Sequence, residues 1–333
     1  MRSSTRHDGQ RGQILAIFAL ALVAIVAGVG LVIDGGFTFA QRRAEQNAAD
    51  LASLAGANAL LSGKDATAAA KAAAATNGYP DGAGGVTVNV NVTPTTVQVD
   101  IGAPHQNYFA GVVGQGSWPV NVTATALAGI PTGFIGVAPF ILSQEVFDPT
   151  TGLPFIDFTV AYDFTKTQGS GSDAPITLSN MAWTNLGTGN VSADDVKDAL
   201  NGTAPINASL TLNDYIGQHD NGVQNTLFDT NSPQQPSVNT TLGGLDVAVP
   251  IVGDPIPGQT TCNDGSYTVG CFRGWALFHV ISASKNGGGE DGTIRGYFLT
   301  GITRSASASS VCAVNDPACE GLFHGVYVIK LIN

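Results

Sequence analysis

The sequence predicts an α+β protein: a long N-terminal transmembrane helix, a small α/β unit and then a mostly antiparallel β domain. An uncharged apolar run, Ile14–Ile33, lies near the N-terminus. From residue 134 onward, short apolar stretches alternate with turn residues, which is typical of a sandwich or barrel. The 42 glycines and 16 prolines agree with many turns. A net charge of −11 argues against a nucleic-acid partner, because phosphate binding needs a basic face.

The apolar run reads ILAIFALALVAIVAGVGLVI over residues 14–33. At about 1.5 Å per residue it spans about 30 Å, the thickness of a bilayer's hydrocarbon core. We expect an uncleaved signal anchor that contacts the lipid bilayer. The alternatives are a cleaved signal peptide, whose apolar region is usually about 7–15 residues, and a buried helix. The triplet Thr38-Phe39-Ala40 is a weak cleavage site.

The orientation follows mainly from the rest of the chain. Three arginines precede the span and two follow it, so the positive-inside bias is slight. The chain after residue 33 is acidic and holds all four cysteines, an even number that suits an oxidising compartment. We expect a single-pass protein of the cell membrane, with residues 1–13 as a cytoplasmic tail and the C-terminal domain extracytoplasmic.

The most specific pattern lies in Arg11–Ala57. Its parts are Arg11-Gly12-Gln13 before the span, Asp34-Gly35 after it, and then QNAAD at residues 46–50 and LAGA at residues 54–57. This ordered set resembles the N-terminal segment of the TadE/TadG-like proteins of Flp pilus assembly, the tight-adherence secretion system. It covers about a seventh of the chain. The resemblance implies a role in pilus assembly, with other pilus-assembly proteins or pilin subunits as partners.

Three polar residues of this segment, Arg11, Gln13 and Asp34, are predicted to mark the membrane boundaries. Asp34 falls at the outer end of the span, where the interface can solvate it. We favour this boundary role over a proton relay.

Proteolytic processing of the segment is not expected. The pilins of this system are cut after a Gly, with a Glu five residues further on. Here Gly12 is followed at that position by Ile17, and Gly9 by Ile14. The chain therefore resembles an uncleaved TadG-like component more than a pilin. Some TadG-like proteins carry an Asp-x-Ser-x-Ser metal motif, from which residues 163–167 (DFTKT) depart.

The helix is predicted to continue beyond the membrane to about residue 61. Asn47, Leu51, Leu54, Asn58 and Leu61 recur at helical spacing and share one face. Much of the remaining surface is Ala or Gly, which lets another element approach closely. Packing against the chain's own globular part and packing against neighbouring subunits both remain open.

The α/β unit is predicted over residues 34–130, in an order whose outline resembles pilins. Its elements are an Ala-rich helix after a capping box of Ser62 and Asp65, ended by Asn77-Gly78; a hairpin of residues 86–92 and 97–101; a short helix closed by Gly114; and a strand over residues 120–128.

The β-rich extracytoplasmic domain is predicted over residues 131–333, with a linker at Gly129–Gly136 at its start. Its elements are a helix from Ser192 to Asn201-Gly202, a hairpin of Trp275–Ile281 with Ile294–Leu299, and a closing strand at Val326–Ile332.

The cysteines are predicted to form two local disulfides. Cys262 and Cys271 are nine positions apart, Cys312 and Cys319 seven, and each pair brackets turn residues. This is the simplest of three possible connectivities. Neither spacing matches the Cys pairs of zinc sites, which are separated by about two to four residues.

No catalytic, cofactor-binding or metal-ligating residues are predicted, and we do not expect an enzyme. His105, His219, His279 and His324 lack metal spacing and accompany no nucleophile motif. We expect His279 to be a packed or hydrogen-bonded core residue.

The sequence thus favours a membrane-anchored TadG-like envelope protein that acts through protein–protein interaction. The alternative is a surface adhesin or glycan-binding module on the same anchor. In that case Trp118, Trp183 and Trp275 would offer stacking surfaces for sugars.

Overall fold

The computed structural model describes residues 9–135, 137–138, 140–155, 162–166, 177–184, 186, 207–217, 245–285, 292–303 and 308–332. Over these residues the chain is α+β, as predicted. The helices are α1 (Gly9–Leu61) and α2 (Ala66–Thr76). The strands are β1 (Thr87–Val92), β2 (Thr96–Gln106), β3 (Ser117–Ile135), β4 (Phe140–Ser143), β5 (Tyr162–Lys166), β6 (Asn180–Trp183), β7 (Asn207–Ser209), β8 (Leu245–Gly253), β9 (Cys271–Lys285), β10 (Gly292–Leu299), β11 (Gly301–Thr303), β12 (Ala308–Cys312) and β13 (Val326–Ile332).

Helix α1 is continuous over 53 residues, which confirms the predicted extension beyond the apolar run. Good helix formers, mainly Ala, Leu and Gln, carry it past the apolar segment. Its C-terminal part packs on α2 and on strands β2, β3 and β13. Helix α1 therefore has an exposed apolar N-terminal part and a C-terminal part that packs on the folded body.

The face of α1 that packs on this body is lined with small residues. Ala49, Ala52 and Ala57 are fully buried, and a Cβ at Gly56 would lie 2.7 Å from Cγ1 of Val97. The contact is thus made with the chain's own globular part. Of the predicted face, Asn47, Leu51 and Asn58 are exposed and point away from this contact. Leu54 is half-buried and Leu61 is buried, and both pack with the core under the first sheet.

Helix α2 begins one turn later than the predicted capping box implies. The N-cap is Asp65, whose side chain accepts a hydrogen bond from the backbone N–H of Ala68 at 3.0 Å. Ser62 instead donates its hydroxyl to the carbonyl of Asn58. The predicted end at Asn77 is confirmed, since Asn77 is the C-cap.

The first sheet has the strand order β1-β2-β3-β13-β11. The predicted hairpin is confirmed as β1 and β2, which pair antiparallel with Val92 opposite Val97. Strand β2 alternates buried and partly exposed residues, so one face packs on α1 and α2.

The length and pairing of β3 show that two predictions for the second half of the chain are wrong. Residues 129–135 of the predicted linker belong instead to β3, which continues through Ile135 despite Pro131. Gly136 lies outside the described residues. The first part of β3 pairs with β2 and β13, and its last part pairs with β12 and β7. Strand β13, predicted to close the β domain, therefore lies in the first sheet. The division at residue 130 stays a prediction.

Six further strands form a closed barrel in the order β10-β5-β6-β4-β8-β9. The predicted hairpin of β9 and β10 is confirmed, with Tyr297 opposite His279. Aromatic side chains fill the barrel, among them Phe140, Phe164, Trp183 and Phe278, which meet edge to face. The helix predicted after Ser192 and residue His219 lie outside the described residues.

Candidate membrane-proximal interaction site

The apolar segment of α1 is uncovered. In the part of the chain that the structure describes, α1 is the one helix long and apolar enough to cross a membrane, and only 6% of its most apolar window is buried. All residues from Ile14 to Val29 are exposed. A core helix of a soluble domain would be mostly buried, so this alternative does not fit.

Two positions near the C-terminal end of the apolar run are buried, Gly30 and Asp34, one helical turn apart. Both are covered by the membrane-proximal loop, which we define as Asn107–Gly116 between β2 and β3. This loop contains one short 3₁₀ helix, Ala110–Val113. The loop thus returns from the sheet to the C-terminal end of the apolar run.

The Asp34 carboxylate binds the backbone at the start of this 3₁₀ helix. Oδ1 accepts the N–H of Tyr108 at 3.0 Å, and Oδ2 accepts those of Phe109 at 3.0 Å and Ala110 at 2.7 Å. N–H groups at a helix start are otherwise unpaired and attract negative charge. Asp34 is therefore held by protein donors, whereas the sequence analysis expected the membrane interface to solvate it.

Aromatic packing supports the same contact. A Cβ at Gly30 would lie only 2.7 Å from Cβ of Phe109, so the loop approaches α1 where the helix has no side chain. One turn beyond Asp34, the rings of Phe37 and Tyr108 lie 5.8 Å apart. The absence of a side chain at position 30 is thus a requirement of this contact.

Further along α1, Gln41 joins the helix to strand β2. Its Oε1 lies 2.6 Å from Nδ1 of His105, which we assign as the donor because an amide oxygen only accepts. The His105 side chain is buried, and its Nε2 has no hydrogen-bond partner.

Glu45, one turn beyond Gln41, is a buried acid that forms no ion pair with any residue the structure describes. Neither carboxylate oxygen has a partner with hydrogen-bond geometry. Burial raises the pKa of Glu45 to about 7, and the backbone N–H of Ala103 offsets this only in part. Burial and the charge of Glu45 also raise the pKa of Tyr79. The junction of α1 with the sheet thus holds a group that titrates near neutral pH.

The other predicted site residues are distributed along the chain. The side chains of Arg11 and Gln13 lie outside the described residues. The structure pairs Cys262 with Cys271 and Cys312 with Cys319, with Cα atoms 5.3 and 6.2 Å apart. These are the local pairs that the spacing predicts.

A cavity of about 560 Å³ lies beside the barrel, where Glu145, Asp148, Arg273 and His324 contribute to its lining. Burial lowers the pKa of His324 to about 4, and the nearby charge of Arg273 acts in the same direction. The imidazole is therefore neutral at physiological pH. Nε of Arg273 is buried without a hydrogen-bond partner. Within the described lining, no nucleophile lies in hydrogen-bond contact with a base.

The fold and this site together define a class of protein in which a globular α+β body is attached to a long helix with an exposed apolar N-terminal part. Residues 12–59 match the family model described as putative Flp pilus-assembly TadE/G-like. The resemblance found in the sequence is confirmed for this segment, which nearly coincides with α1 and includes Gly30, Asp34, Gln41 and Glu45. The chain matches no curated protein and no solved structure.

Proposed function

We propose that this chain is a single-pass membrane protein that takes part in assembling or anchoring a Flp pilus. The match of residues 12–59 to the TadE/G-like family model carries this proposal. The apolar part of α1 would hold the bilayer, with the N-terminus in the cytoplasm and the body outside. The chain would act through protein–protein interaction, without catalysis.

The distribution of burial along α1 supports a role in interaction. The Ala-rich face of the helix is used internally, so it is not available to partner helices. The opposite face, with Asn47, Leu51 and Asn58, is exposed on the folded side of the membrane. Pilin subunits or other assembly proteins would therefore contact this face or the globular body.

The burial of two of the three tryptophans weakens the alternative function as an adhesin. Trp183 and Trp275 are buried in the barrel region and offer no surface to a sugar. Trp118 remains partly exposed, but it lies at the start of β3, beside the membrane-proximal loop.

The proposal is tested by complementation in cells that lack the chain. One variant replaces residues 14–33 with an unrelated apolar helix that keeps Gly30, and a second replaces residues 1–33 with a cleavable signal peptide. Pili are counted by electron microscopy, and both proteins are followed by membrane fractionation.

We expect the first variant to remain in the membrane and restore pili, because the span serves as an anchor. The second should be released and restore none. Normal piliation in cells lacking the chain altogether would contradict the assembly role. Full rescue by the released body would contradict the need for an anchor.

A further inference from the structure

The membrane-proximal loop exposes a group of large apolar side chains, which we call the loop patch: Tyr108, Phe109 and Val112. Their exposed fractions are 64%, 43% and 87%. No Asp, Glu, Lys or Arg occurs between Asp100 and Glu145 in the sequence. A contiguous apolar surface of this kind marks contact with a partner or a membrane.

The position of the patch along α1 distinguishes between these two. Phe109 lies against Gly30, three residues inside the apolar run that ends at Ile33. Three residues of helix correspond to about 4.5 Å. The loop therefore reaches past the end of the run, toward the level at which the helix is surrounded by acyl chains.

Most backbone N–H groups of the loop are hydrogen-bonded within the protein, although the buried Oδ1 of Asn107 has no partner. Three of its N–H groups bind Asp34, and the N–H of Asn107 donates to the carbonyl of Gly116 at 3.0 Å. The side-chain amide of Asn107 donates to Gln115 at 3.0 Å. Irregular backbone is tolerated at membrane depth only when its polar groups are satisfied within the protein.

We propose that the loop patch inserts into the bilayer leaflet on the side of the globular body, next to the span. This rests on the membrane anchoring given under Proposed function. Lipid is the favoured occupant because the patch adjoins the exposed apolar part of α1: Tyr108 lies 5.8 Å from the exposed Phe37, and Phe109 lies against Gly30. Tyr108 and Trp118 are the residue types that concentrate at membrane interfaces. Insertion would give the body a second attachment and fix its tilt.

The test uses the full chain in liposomes, with Val112→Trp as a reporter. The matched control is Val92→Trp, at the opposite end of the hairpin strand. Val92 pairs with Val97, and Gln106, the last residue before the loop, lies nine positions further along β2. At about 3.3 Å per residue this places the control about 30 Å away. Lipids brominated on the upper acyl chain quench tryptophan on contact, and flotation measures anchoring separately.

We expect both variants to float with the liposomes, and the fluorescence added by Val112→Trp to be quenched at least twofold more than that added by Val92→Trp. Equal quenching in floating protein would overturn the inserted loop while leaving the anchor intact. The emission of Val112→Trp could instead change with the number of protein molecules per liposome and not with brominated lipid. This result would show that the patch contacts a second copy of the chain, and it would also overturn insertion into the bilayer. Failure to float would refute the anchor itself.

Discussion

Glu45 provides a sharp test of how α1 is joined to the sheet. Its carboxyl group is buried among Ala-rich helix and strand residues, 12 residues beyond the end of the apolar run. Because its pKa rises from the ordinary 4.5 to about 7 on folding, the native state binds the proton more tightly than the unfolded chain does. The free energy of unfolding must therefore fall as the pH rises from about 4.5 to about 7.

The size of this effect follows from the shift in pKa. Each unit corresponds to about 1.4 kcal/mol, so the shift gives about 3 kcal/mol at most. Partial solvent screening reduces this, and we expect about 1–3 kcal/mol. At an unfolding entropy of about 2.1 cal/mol/K per residue, a chain of 333 residues loses about 1.4 °C of Tm per kcal/mol. The Tm should therefore fall by about 1–4 °C between pH 5 and pH 8.

The assay is thermal unfolding of the full chain in detergent micelles at pH 5 and pH 8, with Glu45→Gln as the variant. The variant should lose most of the Glu45-dependent drop in Tm, because its side chain does not titrate. Glu145→Gln, at an exposed position on the barrel, is the control and should keep the wild-type pH dependence. A Glu45→Gln protein with the same drop as wild type would refute the reasoning.

Three further predictions concern contacts that hold the elements together. Asp34→Ala removes the acceptor of three loop N–H groups, so hydrogen exchange of those amides should accelerate at least tenfold; unchanged protection would contradict the contact. Gly56→Val should lower stability by about 1–3 kcal/mol, because even a Cβ would lie 2.7 Å from Cγ1 of Val97. A denaturation midpoint equal to that of wild type would be inconsistent with this packing. Replacing Cys262 and Cys271 with Ser opens a short loop and should cost about 2–3 kcal/mol in thermal unfolding, an effect that vanishes if the pair is reduced in the native protein.

The extent of α1 was predictable because its signals are local. The apolar run and the helix formers after it follow one another without a break. The buried face was not predictable in the same way. Leu51 stands out by hydrophobicity but is exposed, whereas the buried positions are mostly Ala, and among them is Glu45. Close approach to the sheet selects small side chains, and this selection depends on a surface that folds elsewhere in the chain.

Contacts between distant parts of the chain explain the remaining differences. Asp34 binds N–H groups 74 to 76 residues away. Because nearly every residue type carries a backbone N–H, the sequence does not reveal which of them bind a side chain. Likewise, Pro131 suggests a break, but β3 continues because β12 pairs beside it. Local patterns therefore identified the hairpins, whereas the sheet that receives β13 depended on long-range pairing.

The central claim is that the chain stays in the membrane through the apolar part of α1. The most direct measurement is the intact mass of the native chain recovered from carbonate-washed membranes. We expect a membrane-bound chain that retains residues 14–33. A soluble chain that has lost this segment would contradict it.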